Sequence, residues 1–101
     1  MTESTILLKL KYFAEIRDLT KKKEDIFLMS RGCKVEDVFD RLSEAYGTVF
    51  SSHVFTEDKH LKEEFTLLLN GRNIDPPYLG IEVSDGDEIV ILPPVAGGTE
   101  A

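Results

Sequence analysis

The sequence predicts an α+β fold: a mixed sheet of about five strands, one helix packed across a face of that sheet, and a flexible C-terminal tail. Three observations lead there. Two strand-like segments near the N-terminus precede a stretch with helical period. Further strand segments follow it, the last of them far in sequence from the first hairpin. A helix laid over a mixed sheet then buries both apolar faces with short connections. The chain finally runs into Pro93-Pro94-Val95-Ala96-Gly97-Gly98, a composition suited to an arm rather than to a packed element.

Residues 5–13 form the first predicted strand, since Ile6, Leu8, Leu10 and Tyr12 alternate with Lys9 and Lys11 at period two. A charged loop, Arg17 to Lys23, leads into a second strand over residues 24–30, and Arg31-Gly32-Cys33 ends it. Residues 35–46 read as a helix, with Val35, Val38, Phe39, Leu42, Ala45 and Tyr46 on one stripe. Glu36 and Asp37 suit the positive end of the helix dipole and Gly47 suits its C′ position, whereas Lys34 makes a poor N-cap. Residues 48–64 carry no clean period and read as a short irregular helix or a long surface loop. Residues 65–69 and 72–74 flank Asn70-Gly71, a type I′ hairpin signal, and Asp75-Pro76-Pro77 stops the ladder. Ser84-Asp85-Gly86-Asp87 is a tight turn before a last strand over residues 88–92. Residues 1–94 therefore form one expected domain, with residues 95–101 as its tail.

The chain has 101 residues, 42% hydrophobic and 31% charged, an ordinary globular composition for one domain. Its apolar runs fall far short of the roughly 20 residues that span a bilayer, and Met1-Thr2-Glu3-Ser4 does not resemble a signal peptide. A soluble, cytoplasmic protein with no membrane partner is expected. A single cysteine, Cys33, fits a reducing compartment. The net charge of −7, from 19 acidic and 12 basic residues, repels phosphate backbones, so no nucleic-acid partner is expected.

The tail carries the chemistry. Two prolines hold the chain extended, and two glycines let the backbone enter a narrow channel where any Cβ would collide. A carboxylate on Gly98 could attack the α-phosphate of ATP in another enzyme's site, giving a mixed anhydride that passes to a sulfur or amine nucleophile. Against this, a Gly-Gly pair near a chain end is often only a frayed segment.

Lys11-Tyr12-Phe13-Ala14-Glu15-Ile16-Arg17-Asp18-Leu19 resembles the first-strand signature of the small subunit of molybdopterin synthase. The block from Val83 through Ser84-Asp85-Gly86-Asp87-Glu88 to Gly97-Gly98 resembles that family's C-terminal block, and is similar to that of the small archaeal modifier proteins. Leu69-Asn70-Gly71 and the helix over residues 35–47 fall where that family has them. The resemblance implies a ubiquitin-like β-grasp fold and a non-catalytic carrier that binds no cofactor. A ubiquitin-activating-type adenylating enzyme would supply ATP and activate Gly98. As a sulfur carrier, the protein would donate a thiocarboxylate sulfur to the molybdenum cofactor's pterin precursor on the molybdopterin-synthase large subunit. As a modifier, Gly98 would be joined to target-protein lysines. Pro93, Pro94, Val95, Ala96 and Gly97 match the segment that threads into a partner, and Phe13 and Leu92 are candidates for docking beside it. Family members usually stop at the second glycine, whereas Thr99-Glu100-Ala101 follow here. Either a protease trims them, or they are not native to the chain, or the domain is a non-conjugated interaction module. Removable extensions on ubiquitin-like precursors favour a processing protease.

Other residues carry less. Cys33 lies at the helix start, where a dipole could lower a thiol pKa, but nothing near it in sequence looks like a base. His53 and His60 lack the spacing of metal ligands. Lys21-Lys22-Lys23 reads as a solvated turn, and Asp85-Gly86-Asp87 lacks the rest of a calcium loop. No nucleophile, base and orienter can be assembled into an enzyme site.

Overall fold

The computed structural model describes residues 4–94. Strand β1 (Thr5–Tyr12) pairs antiparallel with β2 (Glu24–Ser30), and the two surround a short helix, α1 (Ala14–Thr20). Helix α2 (Val35–Val54) follows, then the hairpin of β3 (Thr66–Leu69) and β4 (Arg72–Ile74), then β5 (Glu88–Leu92). The sheet order is β2-β1-β5-β3-β4, with β5 parallel to β1 and antiparallel to β3. The mixed five-stranded sheet with a helix over one face agrees with the expected fold class.

Alternation sorts the strands into an inner and an outer face. Ile6, Leu8, Leu10 and Tyr12 of β1, Phe27 of β2, Leu67 of β3 and Ile89 and Ile91 of β5 are buried. Val35, Val38, Phe39, Leu42, Phe50 and Val54 of α2 are buried in the same core. Lys34 contributes no side-chain cap to α2. Its backbone N–H donates instead to the Asp37 carboxylate at 2.9 Å, while the N–H groups of Val35 and Glu36 donate to the carbonyls of Ile81 and Leu79. The loop before β5 thus satisfies donors that every helix start leaves open.

Three expectations change. The first strand ends at Tyr12 rather than at residue 13, and part of the predicted loop is helix α1. Ile16 and Thr20 are buried one turn apart on it while Arg17 and Asp18 face solvent, a stripe too short for its period to stand out. Helical structure also continues past Tyr46. At Gly47 (φ 81°, ψ −170°) the helical path breaks, as the C′ assignment anticipated, but the chain resumes helical geometry to Val54. Phe50 and Val54 extend the inward row of Leu42 and Tyr46 at four-residue spacing, so burial carries the helix across the break. Beyond it Phe55 and Leu61 form an isolated antiparallel bridge.

The turns agree with the sequence. Asn70 (φ 53°) and Gly71 (φ 83°) both take the positive φ that type I′ demands.

Candidate functional site

β5 lies between β1 and β3 and leads the chain out of the sheet. Its start is pinned by the aspartate turn. The Asp85 carboxylate accepts from the Leu7 N–H at 2.8 Å, and the Gly86 N–H donates to the Leu7 carbonyl at 2.7 Å. The Asp87 carboxylate accepts from the Ser84 N–H and from the Asn70 side-chain amide, at 2.7 and 2.9 Å. Asn70 then exchanges bonds with Glu88: its N–H donates to the Glu88 carbonyl, and its side-chain oxygen accepts from the Glu88 N–H. Two aspartates and one asparagine therefore fix the register of β5 against β1 and the β3–β4 hairpin. This is a structural role, in keeping with the turn reading.

At the other end of β5, Ile91 pairs with Tyr12 and Leu92 with Thr66. Pro93 is partly exposed and Pro94 exposed, and neither has an N–H to extend a ladder. One step beyond the Tyr12–Ile91 pair lie the two expected docking residues. Phe13 is 40% exposed and Leu92 half-buried, so both offer apolar surface where the chain departs. Val95, Ala96, Gly97 and Gly98, with Thr99-Glu100-Ala101, lie outside the described residues.

Behind this exit is a polar network that the sequence reading missed. The Asp25 carboxylate accepts from the Tyr12 hydroxyl at 2.7 Å, from the Tyr46 hydroxyl, and from the Lys22 ammonium at 3.0 Å. Burial pushes the Asp25 carboxyl upward, but the bonds from Tyr46, Tyr12 and Lys22 outweigh it and hold the carboxyl below its ordinary value. Burial, reinforced by the bond to Asp25, pushes the Tyr12 phenol far above its ordinary value. A signal existed: Asp25 shares the inward period of Phe27 and Met29, and an inward acid needs donors.

The remaining candidates carry no chemistry. Cys33 is buried, and burial followed by the Asp37 charge pushes its thiol up, the reverse of an activated thiolate. His53 meets Glu15 at 3.2 Å, and His60 lies against the Tyr78 ring. Among the described residues no cluster of three His, Cys, Asp or Glu could hold a metal, and no helix is long and apolar enough to cross a membrane. The Lys21-Lys22-Lys23 turn is exposed, as expected.

Residues 10–98 match the ThiS family, and that span ends on Gly98. The chain belongs to the ThiS family. Its members are small, non-catalytic ubiquitin-like carrier and modifier proteins. This ThiS-family chain is 29% identical over 92 residues to small archaeal modifier protein 3 of Haloferax volcanii, covering 90% of this chain and 98% of the relative. The solution structure of small archaeal modifier protein 1 from Methanosarcina acetivorans superposes with a TM-score of 0.75 at 32% identity, covering 93% and 98% of the two chains. A candidate molybdopterin converting factor subunit 1 from Pyrococcus furiosus gives a TM-score of 0.71 at 28% identity, covering 89% and 99%. The resemblance to the small modifier and molybdopterin-synthase proteins and the ubiquitin-like β-grasp fold both stand.

Proposed function

We propose that this protein is a ubiquitin-like carrier that acts through the carboxylate of Gly98 once Thr99-Glu100-Ala101 has been removed. The observation that carries the reading is the family match, which runs along β5, through Pro93-Pro94, and stops at Gly98. While Thr99 is attached, the Gly98 carbonyl is an amide and cannot be adenylated, so hydrolysis of that bond by a protease comes first. The freed carboxylate then attacks the α-phosphorus of ATP in a ubiquitin-activating-type partner, pyrophosphate leaves, and an acyl adenylate forms. A nucleophile next displaces AMP. If it is a target lysine, an amide forms, the outcome that similarity to two small archaeal modifier proteins supports. If it is a sulfide-level sulfur, a thiocarboxylate forms. Similarity to the Pyrococcus protein supports this second reading, with the sulfur passed on to the pterin precursor of molybdopterin. Phe13 and Leu92 dock the partner while Pro93 to Gly97 thread into it.

Intact mass of the protein from its own cells tests both readings. A species ending at Gly98 is expected, either joined to lysines or carrying sulfur in place of a terminal oxygen. Gly98→Ala should abolish both products while leaving the melting curve unchanged. A full 101-residue chain as the sole form, or normal products from Gly98→Ala, would overturn the proposal.

A further inference from the structure

β2 is the outermost strand of the sheet on the side away from β3 and β4. The Tyr12 N–H donates to the Lys23 carbonyl and the Arg31 N–H to the Ser4 carbonyl, so the odd-numbered residues of β2 face β1 with their backbone groups. In an antiparallel ladder the alternate residues then point outward: Glu24, Ile26, Leu28 and Ser30 present N–H and C=O groups to the open edge. Among the described residues no strand takes them. Such an edge is a template for another extended chain.

Its two faces differ. On the outer face Ile26 is 48% and Leu28 59% exposed, and Leu28 pairs with Leu7, itself 41% exposed. These three are most of the large exposed apolar side chains among the described residues. On the inner face lie Phe27 and Met29, with the exposed Arg41 guanidinium 5.2 Å from the Phe27 ring and 3.7 Å from the Met29 sulfur. Arg41 has no carboxylate partner among the described residues, and neither do Lys21 and Lys23 at the start of the edge. The acid on this inner side, Asp25, is occupied by Tyr12, Tyr46 and Lys22. In a chain of net charge −7, unpaired cations along one edge mark what would complement it.

We infer that the β2 edge docks an extended peptide of a partner protein in which apolar residues alternate with acidic ones. The period of two sorts the peptide's side chains: apolar ones pack on Ile26 and Leu28, and acidic ones turn toward Arg41 and the lysines. A second copy fits less well, because two chains of −7 repel. β1 separates β2 from β5, so docking leaves the strand that leads to Pro93-Pro94 untouched. The inference stands independently of what becomes of Gly98.

The test titrates the full chain with a nonapeptide of alternating valine and aspartate, capped at both ends, read by amide NMR shifts. Shifts and slowed exchange are expected at the N–H groups of Glu24, Ile26, Leu28 and Ser30. Leu28→Lys and Arg41→Glu should each weaken binding by about tenfold or more, with added salt eroding the wild-type affinity. Both positions are exposed, so unchanged spectra away from the edge verify the fold. No binding at millimolar peptide, equal binding of a peptide with lysine in place of aspartate, shifts confined to another surface, or dimerisation through β2 without peptide would each overturn the inference.

Discussion

Asp25 gathers donors from Tyr12, Tyr46 and Lys22 at the level where the chain leaves the sheet, joining β1, β2 and α2. Because its folded-state pKa is depressed, its contribution is present above the unfolded carboxylate value of about 4 and is lost as pH falls through the folded value. Tyr12 works in the opposite direction at high pH. Its phenol is raised, so its contribution is complete below about pH 10 and declines as the unfolded phenol ionises above it. Asp25→Asn keeps the shape but removes the charge and part of the accepting capacity for buried hydroxyls. It should destabilise the fold by about 2 kcal/mol at pH 7, and urea unfolding should show a flatter acid limb between pH 5 and 3. An unchanged acid limb would place the acid sensitivity elsewhere.

At the scale of the element, Gly47 separates two helical segments that the same core holds. Its φ of 81° with ψ of −170° lies where essentially glycine alone is found, while a Cβ there would meet nothing within 4 Å. The cost of Gly47→Ala is therefore conformational rather than steric, about 2 kcal/mol by urea unfolding. A loss of less than a few tenths would mean that α2 straightens without disturbing Phe50 and Val54. This break also explains what was legible. Turns that demand a particular φ, at Asn70-Gly71 and around Gly86, announce themselves because few residues meet the demand. Gly47 announces a break equally well, but nothing local says that a helix resumes. That depends on Phe50 and Val54 being buried in one core with strand residues such as Leu10 and Ile91, far from them in sequence. Residues 55–65 depend on such distant partners too, the Leu61 N–H donating to the Tyr78 hydroxyl at 2.9 Å. Tertiary packing decides them, whereas the regular strands and the Val35 helix start carry their own period. Where the chain leaves the sheet, the end of β5 at Pro93-Pro94 was legible from composition, and Asp25 was hidden because its donors come from three separate stretches.

For the whole molecule, the proposed division of labour between a folded body and an acting tail is tested by deletion. The buried core runs from Ile6 to Ile91, and the hydrogen bonds that pin β5 all fall before Leu92. Removing residues 95–101 should therefore shift unfolding free energy by less than about 1 kcal/mol, within the range of changes away from core features. The same deletion should eliminate adenylation by a ubiquitin-activating-type partner, because the attacking carboxylate is gone, while Phe13 and Leu92 still present their apolar surface. Binding to that partner should weaken without vanishing, and Phe13→Asp in the full chain should weaken it further by lost docking rather than lost chemistry. If partner binding is wholly indifferent to the deletion and no acyl adenylate forms with the intact Gly98 terminus either, the body alone is the functional unit and the protein is a non-conjugated interaction module. A large loss of stability on deletion would instead make the tail part of the fold, and the same loss of activation could then no longer be assigned to the glycines.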